Sequence, residues 1–227
     1  WKTFEADRYN KLKLGVRVLA NDPYFKAEVE TRDEATVLDS LNERGADLKA
    51  DFFVATDASG VVIARSDRPG GHGEDLAQDP LVAKALEGEE PSTVWKQGER
   101  LFHAVALPMQ TRGEIKGVLI AGYGLSEGLA HQIRRLTKSE TAFLSAGTAG
   151  QPTLAASSLG PREAALRGVL RGSTLGAGNG APFELDLDGE RFVAVQAPLE
   201  TASGAKVGLL VAARSLSAEM EAFRQFR

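Results

Sequence analysis

Six side chains of this sequence have the types needed to recognise a small polar molecule: Arg65, Arg68, His72, Trp95, His103 and Tyr123. Arginine grips a carboxylate through two parallel hydrogen bonds. Histidine and tyrosine add single hydrogen bonds, and an indole makes an apolar wall. A few convergent polar groups among apolar walls are what a metabolite pocket needs. A catalyst needs more. The chain has no Gly-x-Ser-x-Gly, no Gly-x-x-x-x-Gly-Lys-Ser/Thr and no His-Glu-x-x-His. Its histidines, His72, His103 and His131, lack metal-ligand spacing, and Asp57-Ala58-Ser59-Gly60 lacks the alternating acids of a cation loop. No cofactor or metal is implied. The one enzymatic alternative is a His103–Asp57 pair, and binding is the better reading.

The candidates stand out because the chain contains one long hairpin twice. Gly98-Glu99-Arg100 and Gly189-Glu190-Arg191 lie 91 positions apart, as do Gly117 and Gly208, and Leu125-Ser126 and Leu216-Ser217. Pro108 and Pro198 differ by 90, so a residue lost before the proline is regained in the turn after it. This is the mark of a duplicated module. What both copies share serves the fold; what only one carries is a candidate for function. At the offset of 91, Arg65 meets Ala156, Trp95 meets Asp186, His103 meets Ala194 and Tyr123 meets Arg214.

Each candidate also has a plainer reading. Arg65 ends a strand and can simply be solvated, and Trp95 and Tyr123 can be packing groups with a satisfied polar tip. His103 alternates with Leu101 and Val105, so it points into an apolar layer. Pairing 103 with 123 places His103 and Tyr123 on one face; a slip of one residue turns Tyr123 away. Arg68 and His72 lie in a loop that the second copy shortens, either a lid over a pocket or an ordinary solvent loop.

The elements that position these residues follow from local pattern. Residues 1–20 carry an apolar stripe (Phe4, Leu12, Val16, Leu19), and Asn21-Asp22-Pro23 stops one helix and starts the next. Helical spacing resumes at Val37, while residues 24–35 are polar and read as helix or as a kinked connection. Phe52 to Ala55, a turn at Asp57 to Gly60 and Val61 to Arg65 make a hairpin. Asp79-Pro80 opens a short helix that Gly88 follows, and Ser92 to Lys96 is the next strand. The second half repeats the order: a hairpin at Thr141 to Ala156 around a Gly147 to Gly150 turn, a helix from Arg162 to Leu170, a loop at Ser173 to Gly180, and a strand at Phe183 to Leu187. Ser126 caps a connecting helix to Lys138, and the helical pattern that begins at Ser217 is cut at Arg227, as in a piece of a longer chain.

Composition sets the outer bounds. Net charge −4 and a pI near 5.5 exclude a basic nucleic-acid surface. No window approaches the ~18 consecutive apolar residues of a membrane span, and Trp1 opens no signal-peptide pattern. With no cysteine there are no disulfides or thiolate metal sites. The fold class is α+β: an N-terminal helical segment (1–50), a first antiparallel module with its connecting helix (51–138) and a second module (139–227).

This order resembles a double Cache sensor domain: a long N-terminal helix followed by two tandem PAS-like modules. The likeness is carried by DFFVATDASGVVIARSD (51–67), DLAQDPLVAKALEG (75–88) and GERLFHAVALPM followed by GEIKGVLIAGYGLS. The resemblance implies the periplasmic, ligand-sensing part of an inner-membrane chemoreceptor, sensor kinase or cyclase. It also implies flanking transmembrane segments outside this sequence and a homodimer formed through the N-terminal helices. The ligand would sit in the first module. The Tyr, Arg and Trp-Tyr cluster of the amino-acid-binding branch is not found here, which favours a small organic acid, acetate-like or a dicarboxylate, over an amino acid. The alternative is an interaction or dimerisation module that binds no small molecule and senses a periplasmic partner protein.

Overall fold

The computed structural model describes residues 1–68, 70–147, 151–172 and 180–217. Most of the Gly147 to Gly150 turn, the Ser173 to Gly180 loop and the helix expected from Ser217 lie outside them. Asp22 separates the first two helices, α1 (Lys2–Asn21) and α2 (Pro23–Thr31). Its extended backbone ends α1, its carboxylate accepts from the Tyr24 and Phe25 amides at 2.8 and 3.4 Å, and Pro23 takes the first helical position. Arg32, in the left-handed conformation, closes α2, and Asp33 caps α3 (Glu34–Gly45). The polar stretch 24–35 is therefore helix with a short break. A 3-10 turn (Ala46–Leu48) leads into the first sheet.

That sheet holds β1 (Phe52–Thr56), β2 (Val62–Arg65), β3 (Ser92–Gln97), β4 (Arg100–Thr111) and β5 (Glu114–Gly124) in the order β2-β1-β5-β4-β3. Asp57 builds the β1–β2 turn by accepting from the Ser59 and Val61 amides and the Ser59 hydroxyl, and Gly60 supplies the positive φ. Asp79 caps α4 (Pro80–Leu86) through the Leu81 amide, and Gly88 follows its end at φ 91°. The second sheet holds β6 (Glu140–Ala146), β7 (Pro152–Ser157), β8 (Phe183–Leu187), β9 (Glu190–Glu200) and β10 (Lys206–Ser215) in the matching order β7-β6-β10-β9-β8. Ahead of it runs α5 (Glu127–Thr137), capped by Ser126, and α6 (Glu163–Gly172) lies between β7 and β8.

The chain divides into two compact units. One comprises Trp1–Trp95, Phe102–Tyr123 and Thr201–Ser203; the other comprises Lys96–Leu101, Gly124–Glu200 and Gly204–Arg227. In the first unit both sheet faces are covered. The face bearing Phe53, Ala55, Val105, Leu107, Leu119 and Ala121 packs on Leu12, Val16, Phe25 and Leu41 of the helices. The opposite face, with Phe52, Val54, Phe102, Ala104 and Ile120, packs on Leu81, Val82 and Ala85 of α4. Burial on both sides is why β4 is apolar almost without alternation, whereas β9 in the second unit alternates buried and open positions. Gly117 and Gly208 serve the same need in both sheets. A Cβ would stand 2.1 Å from the Thr56 carbonyl oxygen at the first and 2.2 Å from that of Leu144 at the second.

Candidate functional site

The structure sorts the six candidates into three places. Arg65, Arg68 and His72 form one cluster. Arg65 ends β2 almost fully buried, at 4% exposure, yet its guanidinium is not bare. Nε and Nη2 donate to Asp67 Oδ1 and Oδ2 at 2.9 and 3.0 Å, and Nη1 donates to Glu74 Oε2 at 2.6 Å. Arg68 Nη2 shares that Glu74 oxygen, also at 2.6 Å. Burial works against the Arg65 charge, but the hydrogen bonds and the two carboxylates outweigh it and hold its pKa above the ordinary value. Arg65 is thus not the solvated strand end of the plainer reading.

The loop carrying these groups returns along the edge of β2. The Gly73 amide donates to the Val62 carbonyl, the Val62 amide donates to the Glu74 backbone carbonyl, and both bonds are 2.8 Å long. Gly71 permits the close approach, because a Cβ there would come within 2.7 Å of Arg65 Cδ and 2.8 Å of the Arg68 carbonyl oxygen. The loop is also tied to α3. The Gly70 amide donates to Glu34 Oε1 at 3.0 Å, and His72 Nδ1 lies 2.6 Å from Glu34 Oε2.

His103 and Tyr123 do share a face, as pairing 103 with 123 requires, and that face is the one covered by α1. Arg8 lies between them: its Nε donates to His103 Nδ1 at 3.2 Å, and its guanidinium stands 5.0 Å over the Tyr123 ring. The fully buried imidazole also meets the rings of Trp1 at 5.4 Å and Tyr9 at 4.8 Å, and its Nε2 lies 3.4 Å from Glu5 Oε1 without hydrogen-bond alignment. Burial lowers the pKa of His103 and of Arg8, and it raises those of Tyr9 and Tyr123. Asp57 is occupied by its own turn and by Arg32 at 3.1 Å, so it is no partner for His103.

Trp95 occupies the other side of the sheet. Its indole Nε1 donates to Asp79 Oδ2 at 2.9 Å and its ring lies 5.3 Å from Phe52, inside the apolar layer beneath α4. The sheet therefore separates Trp95 from His103 and Tyr123, because neighbouring residues of a strand point to opposite faces. Asp67, Glu74, Glu34, Arg8 and Glu5 were not singled out from sequence. For Glu5 and Arg8 a signal exists: they are charged residues near the apolar stripe of α1.

The pairing of the two copies also needs correction. Phe102 and Ala104 face α4, while Phe192 and Ala194 lie in the core with Leu166 and Leu170 of α6, so His103 corresponds to Val193, not Ala194. By the same reasoning Trp95 corresponds to the buried Leu185 rather than to Asp186. Val54 pairs with Arg65 in the first sheet and Ala142 with Ser157 in the second, so Arg65 corresponds to Ser157. The structural offset is already 90 in the turn before β4, where Gly98, at φ 58°, takes the place of Asp188, at φ 56°, and it becomes 91 only in the turn after β4. The repeated Gly-Glu-Arg is one residue out of structural register. Tyr123 and Arg214 remain true counterparts.

Comparisons with known proteins agree with this architecture. The family described as "Double sensory domain of two-component sensor kinase" matches residues 4–220. No curated protein gives a significant sequence match. Among solved structures, the periplasmic domain of Vibrio cholerae LuxQ superposes with a TM-score of 0.55 at 15% identity, over 94% of this chain and 95% of that one. The sensor domain of the V. cholerae histidine kinase DctB gives 0.54 at 15%, over 93% and 95%. The ligand-binding domain of the Campylobacter jejuni chemoreceptor Tlp3, in complex with L-valine, gives 0.53 at 14%, over 95% and 87%. At such identities the likeness is one of fold, a double Cache architecture. With the family match spanning nearly the whole sequence, the chain belongs to the double sensory domains of two-component sensor kinases.

Proposed function

We propose that this domain is the extracytoplasmic sensor of a membrane receptor and that its first module takes a small carboxylate-bearing molecule at Arg65. The observation behind this reading is the fork on Asp67. A buried guanidinium at a sheet edge already holds a carboxylate through two parallel bonds of 2.9 and 3.0 Å, supplied by the protein's own loop. A ligand carboxylate has the same geometry and would take the place of Asp67, with Arg68 and His72 at the rim. A ligand amine would find Asp67 and Glu74 close by, so an amino acid, as in the valine complex of Tlp3, suits the cluster as well as a simple organic acid. Trp95, His103 and Tyr123 then support the site from other layers instead of touching the ligand.

Displacing Asp67 shifts the loop, and the loop is bound to α3 through Glu34. That supplies the differential contact without which a ligand shifts no equilibrium. Two copies would meet along α1, where Leu14 and Val18 are 64% and 76% exposed on one helix face.

A thermal-shift panel of acetate, short dicarboxylates and amino acids tests the reading. A ligand at 100 times its dissociation constant adds about 2.7 kcal/mol. If none of them moves the melting temperature, the direct-sensor reading is lost. The packed layer of Phe52, Trp95, Phe102 and Leu81 beneath α4 would then favour the second reading, a module that senses a partner protein.

A further inference from the structure

The second unit contains a cavity of about 560 Å³ between the last turn of α5, the start of β6 and of β9, and the end of β10. Five cationic side chains line it, Arg134, Arg135, Lys138, Arg162 and Arg214, against two carboxylates, Glu140 and Glu190. Both carboxylates are already matched. Arg134 Nε lies 3.2 Å from Glu140 Oε1, and Ser158 donates to Glu140 Oε2 at 2.6 Å. Arg162 and the Ser215 hydroxyl engage the two oxygens of Glu190. Two positive charges, those of Arg135 and Lys138, remain over. Arg214 is oriented by the Thr137 carbonyl and the Ser139 hydroxyl, at 2.8 and 3.1 Å, while the side chains of Arg135 and Lys138 have no hydrogen-bond or ion-pair partner among the described residues.

The helix dipole accounts for a cation at the end of α5 but not for this convergence, which repels itself and runs against a net charge of −4 for the chain. The volume lies in the range of small-molecule sites, and the floor is apolar: Phe192, with the Arg162 guanidinium 5.8 Å above its ring. Guanidinium forks from several sides suit a tetrahedral oxyanion better than a single flat carboxylate. We propose that this cavity is a second ligand site, specific for a phosphoryl group of net negative charge, whether free or on a lipid headgroup. The proposal is independent of the Arg65 reading, since no residue is shared.

The test uses inorganic pyrophosphate as the free probe and phosphatidylglycerol vesicles as the lipid probe, with acetate and phosphatidylcholine vesicles as controls, in about 0.1 M salt where long-range attraction is screened. Calorimetry should show saturable pyrophosphate binding and none for acetate, or vesicle flotation should show retention by phosphatidylglycerol alone. Arg135→Glu with Lys138→Glu should weaken the binding about tenfold or more while leaving the melting curve in place, because neither side chain holds the fold together. Lys2→Glu with Lys11→Glu, exposed on α1, makes the same change in net charge and should leave it unaltered. Binding of either probe with this pattern supports the site and tells which source it takes. Failure of both probes to bind overturns the proposal. So does binding that survives the first double variant, or that falls equally in the second.

Discussion

The Tyr123 hydroxyl donates to the Leu48 carbonyl at 3.0 Å, and its counterpart Arg214, 91 residues on, donates to the Thr137 carbonyl at 2.8 Å. Leu48 ends the 3-10 turn entering the first sheet and Thr137 ends the helix entering the second, where the last carbonyls have no partner within the helix. One position therefore anchors the entering segment in both modules, with a phenol in one and a guanidinium in the other. Tyr123→Phe should lower stability to urea by about 0.5–1.5 kcal/mol and leave ligand affinity as it was. A Tyr123→Phe protein of full stability that no longer responds to ligand would return Tyr123 to the binding site.

This pair shows what the sequence can and cannot tell. Asp22, Asp57, Asp79 and Ser126 act on amides two to four residues away, so their roles were legible in local pattern. The period of two put His103 and Tyr123 on one face, but nothing in a strand says which helix will cover that face. The residue that fills it, Arg8, lies 95 positions upstream of His103. Asp67 and Glu74 stood beside Arg65 in the sequence; their grip on it appears only when the loop folds back along β2. Repetition was sound for the fold and misleading for function, since an offset read from Gly-Glu-Arg was one residue wrong across β4.

His103 gives the first unit a defined acid limit. Because Arg8 Nε donates to Nδ1, the neutral ring carries its proton on Nε2, and protonating Nδ1 breaks the contact. Burial first, with the Arg8 charge adding to it, outweighs the pull of Glu5 and holds the folded pKa below 6.5. The unfolded chain then takes up the proton at higher pH than the folded one. This contribution is whole above pH 6.5 and is lost as pH falls through the folded value. Urea titrations from about pH 8 to about pH 5 should show that loss, and His103→Gln should flatten it. An unchanged slope in the variant would exclude His103 as its source.

Leu14 and Val18, one turn apart and both exposed on α1, predict the dimer contact. Leu14→Glu with Val18→Glu places charge on that face without touching the buried stripe of Leu12, Val16 and Leu19. Sedimentation should show a dimer that dissociates at least about tenfold more readily in the variant, which corresponds to ~1.4 kcal/mol. The melting temperature at low concentration should hold. Equal association of variant and parent would place the contact elsewhere or remove it.

Asp67→Asn separates the two readings of the Arg65 cluster. If Asp67 is only structural, the change loses charge-assisted bonds to a buried guanidinium, lowers stability by about 1–3 kcal/mol, and does nothing to ligand affinity. If Asp67 holds the place of a ligand carboxylate, the same loss removes the competitor. Affinity should then rise about tenfold for each ~1.4 kcal/mol of internal pairing given up, as long as Glu74 keeps Arg65 in position. Calorimetry on the parent and on Asp67→Asn, with the best acid or amino acid from the thermal-shift panel, reads the sign directly. Tighter binding in a less stable protein is the expected result. Weaker or equal binding means that the ligand does not take the place of Asp67, and the Arg65 site falls with it.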